Sequence, residues 1–96
     1  MVNQLLTLGD YCVFTFSTTS YALKAEKELK NAEAEFIIMP TLREISSSCG
    51  LSVKIHPDNR EKTREILAAR DVPFEAVYLV HRQDKHNEVI QLEQVN

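Results

Sequence analysis

From Tyr11 to Phe16 the chain reads Y-C-V-F-T-F, with Cys12, Phe14 and Phe16 on one side of an extended backbone, since strand side chains point to opposite faces in turn. Gly9-Asp10 just before it is a turn signal, so a first strand opens there. The period then changes. After Ser17-Thr18-Thr19-Ser20, a run of residues suited to capping, Ala22, Ala25, Leu29 and Ala32 recur at helical spacing and predict a helix from about Ser20 to Ala32. Glu35 to Met39 is a short apolar run closed by Pro40, which has no N–H to give to a ladder, and reads as a second strand. Leu51 to Ile55 alternates again after Gly50 and reads as a third. Asp58-Asn59-Arg60-Glu61, behind Pro57, has the capping-box form and predicts a second helix from about Asp58 to Arg70 that buries Thr63, Ile66 and Leu67. Phe74 to His81 is β-branched and aromatic, a fourth strand, and Val89 to Val95 either pairs back on it or stays outside the sheet.

The order β-α-β-β-α-β predicts an α+β fold, a ferredoxin-like two-layer sandwich with a four-stranded antiparallel sheet. One domain is expected over residues 1–96, with a core at about 10–82 and residues 83–96 as an extension or extra strand. Right-handed crossovers make strands one and two parallel, with strand three between them and strand four outside strand one. The carboxyl ends of strands one and two then share an edge, so the loop Thr41 to Gly50 faces the helix start at Ser17 to Ser20. His56 and His81 leave at the opposite edge.

Composition narrows the function. Ninety-six residues are too few for two cores, and 44% apolar with 26% charged residues is an ordinary folded composition. Eleven Lys and Arg against fourteen Asp and Glu give a net charge of −3, which leaves no cationic excess for nucleic acid or an anionic membrane. No apolar run reaches the roughly 18 residues of a membrane span. Met1 to Asp10 lacks the basic region and long apolar run of a signal peptide. Two cysteines are too few for a disulfide framework or a four-thiolate zinc site, and the cytoplasm is the expected compartment.

Chemistry concentrates in Arg43-Glu44-Ile45-Ser46-Ser47-Ser48-Cys49-Gly50, a long loop for so small a domain. A thiolate is the reactive form of cysteine and is favoured by nearby cations and helix amino ends. Arg43 offers the cation; Thr18 and Thr19, at the start of the first helix, face the same edge. Ser46, Ser47 and Ser48 add donors that suit a negatively charged sulfur or selenium on an accessible Cys49, and Gly50 lets backbone come close. The plainer reading is that Cys49 is an inert small hydrophobe in a serine-filled loop. Cys12, on the Phe14 and Phe16 side, reads as core. It lies about 13 Å from Cys49, beyond the roughly 7 Å a disulfide spans, so no intramolecular bond is expected. A cysteine hydrolase needs a histidine beside the thiol, and only His86, in the tail, is placed to approach. Neither metal-ligand spacing nor a phosphate-binding glycine loop occurs.

Y-C-V-F-T-F-S-T-T-S-Y-A-L-K-A-E-K-E-L-K, then P-T-L-R-E-I-S-S-S-C-G-L, then I-L-A-A-R, together resemble the small bacterial proteins called putative selenium/sulfur carriers, over roughly Asp10 to Tyr78. The resemblance implies a carrier rather than a classical enzyme: it takes sulfur or selenium as a persulfide or perselenide and hands it to a biosynthetic enzyme. Cys49 matches the family's loop cysteine, with Arg43, Ser46, Ser47, Ser48 and Gly50 around it. A cysteine desulfurase or selenocysteine-lyase-like donor and a selenium- or sulfur-using acceptor are the implied partners, with no cofactor on this chain. Where the family pattern often has a second proline before the arginine, this chain has Leu42, which loosens the loop. Two other classes stay open: a binding or regulatory module for a small anion or protein partner, and a thiol redox sensor that pairs with another chain. A homodimer through a sheet edge or the carboxyl tail is also compatible.

Overall fold

The computed structural model describes residues 9–45, 47, 49–82 and 86–95. Along the chain run β1 (Asp10–Thr15), α1 (Thr19–Asn31), β2 (Ile37–Pro40), β3 (Leu51–Ile55), a 3₁₀ turn (Pro57–Asn59), α2 (Arg60–Ala69), β4 (Ala76–Arg82) and β5 (Asn87–Gln94). The strands form one sheet in the order β2-β3-β1-β4-β5, and every neighbouring pair is antiparallel. The expected four-stranded sheet is therefore corrected to five. The carboxyl-terminal segment pairs with β4 from Ala76↔Gln94 to Arg82↔Asn87, which satisfies the backbone of β4 on its outer side. Among the described residues, no helix is long and apolar enough to cross a membrane.

Alternation decides what each face of the sheet meets. Cys12, Phe14 and Phe16 of the β1 side, with Val53, Ile55 and Val77, pack under the helices against Ala22, Ala25, Leu29 and Leu67. Helical spacing places these residues on one stripe of each helix. Tyr11, Val13 and Val80 point the other way and form a second cluster with Met39, Tyr78 and Val89. The cover there comes from a loop: Leu42 and Ile45, in a turn closed by Ile45 N–H to the Leu42 carbonyl at 2.9 Å, lie against that face.

Local signals explain most boundaries. Thr18 caps α1, its hydroxyl accepting from the Tyr21 N–H at 3.2 Å. The capping box expected at Asp58 and Glu61 does not form. Pro57 starts a 3₁₀ turn first, the His56 Nδ1 accepts from the Asp58 N–H at 3.1 Å, and α2 begins after Asn59, which makes no side-chain cap. Both helices end alike. Glu33 and Asp71 take left-handed backbone at φ 58° and 57°. The following Ala34 and Val72 amides donate to the Leu29 and Leu67 carbonyls, each at 2.9 Å. This is the closure that glycine usually provides.

Candidate functional site

The loop from Thr41 to Gly50 begins and ends at one edge of the sheet. The Thr41 N–H donates to the Gly50 carbonyl at 2.9 Å and the Thr41 hydroxyl to the Cys49 carbonyl at 3.0 Å, with the Ser52 hydroxyl at 2.6 Å. Between these ends the chain crosses the second face through Leu42 and Ile45, then returns to the rim. There the Ser47 hydroxyl donates to the Phe16 carbonyl at the end of β1 and accepts from the Cys49 N–H, both at 3.3 Å. The loop is thus fastened to β1, β2 and β3 by backbone carbonyls and small hydroxyls.

Cys49 lands where this lacing brings it. Its sulfur accepts from the Leu51 N–H at 3.3 Å and lies 3.8 Å from the Thr19 hydroxyl, in the first turn of α1. The residue is only 3% exposed and belongs to the cluster beneath the helices. The expected accessible thiol is therefore corrected to a buried one at the helix start. The difference has a local cause: Thr41 and Ser47 tie the Cys49 backbone to the rim and its small side chain turns into the cluster under the helices, while Ile45, 5% exposed, and the half-buried Leu42 anchor the preceding turn on the second face. Cys12 is core as expected, 1% exposed, and burial pushes its thiol above the usual value against the opposing charge of Arg60. Both cysteines are free.

A family model described as "Putative Se/S carrier protein-like" matches residues 11–79. The chain belongs to this family. No curated protein and no solved structure matches it. In this Se/S carrier family member the match runs from β1 into β4, taking in the whole Cys49 loop and stopping short of β5.

The other residues expected at the family's loop divide. Thr19 touches the thiol, Thr18 spends its hydroxyl on the helix cap, and Ser47 ties the Cys49 backbone to β1. Ser46 and Ser48 lie outside the described residues. Arg43 is exposed in the turn on the second face, and no hydrogen bond or ion pair joins it to Cys49 among the described residues. Gly50 does not serve a close approach: a Cβ added there meets nothing within 4 Å, and its φ is not positive. Its exposed position simply leaves it free of neighbours. His86, expected to be the histidine able to reach the thiol, lies between β4 and β5 at the far edge of the sheet, as do His56 and His81. Thr41, Leu42 and Ile45 were not among the expected site residues. The apolar pair in an otherwise polar loop is the signal that could have found the last two.

Proposed function

We propose that Cys49 carries a sulfur or selenium atom as a persulfide or perselenide, on a ferredoxin-like frame extended by β5. The observation that supports this most is that the family match covers a loop with a single cysteine, whose sulfur meets a backbone N–H and a helix-start hydroxyl while every histidine lies at the other edge. Without an imidazole beside it the thiol has no base for acyl chemistry, which suits a reaction in which the partner brings the activated atom. In that reaction the Cys49 thiolate attacks the terminal sulfur or selenium of a donor persulfide or perselenide. One bond to that atom forms, the bond to the donor sulfur breaks, and the electron pair leaves with the donor thiolate, so no net oxidation occurs. The Leu51 N–H and the Thr19 hydroxyl are the donors that would hold the negative charge, and charge-assisted hydrogen bonds are the stronger kind. A desulfurase or selenocysteine-lyase-like enzyme is the donor and a biosynthetic enzyme the acceptor. A reducing compartment such as the cytoplasm would keep both thiols available.

Loading the full chain with a desulfurase and cysteine, or a lyase and selenocysteine, and weighing it intact tests the idea. Wild type and Cys12→Ala should gain one sulfur or selenium atom that a thiol reductant removes, and Cys49→Ala should gain none. An equal gain by Cys49→Ala would sink the proposal.

The 3% exposure of Cys49 favours one second reading, a binding module in which the thiol only packs. On that reading Cys49 is alkylated no faster than Cys12 and never loads.

A further inference from the structure

The two faces of the sheet differ in charge. Directly paired residues of antiparallel strands point to the same side, so the register assigns every strand residue to a face. The carboxylates on the strands, Asp10, Glu88 and Glu93, all fall on the helix side: Asp10 pairs with His81 at 2.9 Å, Glu88 sits opposite His81, and Glu93 takes Arg64 of α2 at 3.0 Å. The cations Lys54 and Arg82 fall on the second face, in line with Val13 and Val80. Several cations of the helix layer are paired, Arg70 with Glu28 at 3.0 Å and Arg64 with Glu93 at 3.0 Å. Among the described residues neither Lys54 nor Arg82 has a carboxylate within ion-pair reach.

Lys54 instead lies over the ring of Tyr11, its Nζ 4.2 Å from the ring centre. Burial lowers the pKa of this lysine, and the charge of Arg82 lowers it further. Two like charges thus share one face of a chain whose net charge is −3. Around them lie half-buried Met39, Tyr78 and Val89, and the covering turn adds the exposed Arg43 and Glu44, so among the described residues cations still outnumber carboxylates on this face. Burial raises the pKa of Tyr11; Arg82 lowers it, and Glu44 is close enough to raise it. We infer that this face docks an acidic segment of a partner protein, carboxylates meeting Lys54 and Arg82 and apolar side chains meeting Tyr78 and Met39.

Spacing favours a protein segment. Arg82 lies opposite Gly9, and Lys54 opposite Val13 across the other side of β1, so their backbones stand roughly 15 Å apart at ordinary strand spacing. An extended segment with carboxylates on alternate residues covers that distance and also brings apolar side chains to Tyr78 and Met39, which one small anion does not. A nucleic-acid backbone needs more cations than this face holds in a chain that is acidic overall. The inference stands whether or not Cys49 carries cargo.

The probe is a short synthetic peptide alternating glutamate and leucine, titrated into the ¹⁵N-labelled full chain at low salt. Amide shifts should concentrate at Val13, Lys54, Tyr78 and Arg82, and added salt should weaken binding. The double variant Lys54→Glu/Arg82→Glu should bind about tenfold more weakly, as expected for reversing two half-exposed charge contacts. Lys54→Gln/Arg82→Gln, which removes both charges but keeps polar side chains, gives the same reading if charge reversal disturbs the fold. Shifts confined to the helix side, no binding, equal binding of a glutamine-for-glutamate peptide, or tighter binding of single-stranded oligouridine would each overturn the inference.

Discussion

Replacing Ile45 with alanine tests whether the turn on the second face is what keeps Cys49 covered. Ile45 is 5% exposed and packs with Tyr11, Val13 and Val80. Three carbons are lost, about 2.4 kcal/mol of transfer free energy at roughly 0.8 kcal/mol each, and the unfilled space raises the cost to about 3 kcal/mol. How that cost is expressed is the point of interest. If the turn lets go only when the whole domain unfolds, urea titration should show a lower midpoint at constant slope and a melting temperature down by about 15 °C. If the turn lifts by itself, the same loss raises the population of the lifted state, and Cys49 alkylation should quicken by up to about 100-fold while Cys12 stays slow. Alkylation followed by peptide mass mapping reads both thiols in one experiment, with Cys12 as the gauge of global unfolding. The lifting turn is the expected outcome, since the proposed transfer requires the thiol to reach a partner. Unchanged stability together with an unchanged Cys49 rate would refute the packing argument, and equal acceleration of both thiols would refute a separately moving turn.

Three further outcomes follow from local geometry. His81 is held charged by Asp10, whose side-chain hydrogen bond lifts its pKa above the ordinary 6.5; the stabilisation is therefore complete below 6.5 and fades as pH rises through the lifted value, so denaturation midpoints measured across that window should fall with rising pH in wild type and flatten in Asp10→Asn. Because Glu33 and Asp71 hold left-handed backbone, Glu33→Gly and Asp71→Gly should each stabilise the chain by about 0.5–1 kcal/mol in chemical denaturation, and a loss of stability in both would contradict the helix closures described. Thr18→Ala removes the acceptor for the Tyr21 N–H and should cost about 1 kcal/mol, largely recovered in Thr18→Ser.

Much of the frame was readable because the chain states it locally. The bounds of β3 follow from L-S-V-K-I flanked by Gly50 and His56, and the buried stripe Ala22, Ala25, Leu29 follows from helical period alone. The second helix start was misread because a capping motif competes with its surroundings: Pro57 turned the chain early, and a histidine nitrogen took the amide assigned to Asp58. The thiol was placed at the correct rim but with the wrong exposure. Loop spacing says which residues meet; it does not say that Leu42 and Ile45 will find an apolar face beneath them, since that face is assembled from β1, β2, β4 and β5. The charge difference between the faces was equally hidden, because parity within one strand means nothing until the register with its neighbours is known.

The free margins of the sheet have a consequence for how copies of the chain meet one another. β2 offers a neighbour only four residues, the last of them Pro40, so little hydrogen bonding can be added there. β5 is twice as long and has neither proline nor lysine, yet Leu92 is an extra residue that breaks the ladder between Val77 and Tyr78, and Glu88 and Glu93 flank the apolar stretch. A kinked, acid-flanked border makes a poor template for another strand, so the protein can leave Ile90 and Val95 in water without inviting its own kind to stack into fibres.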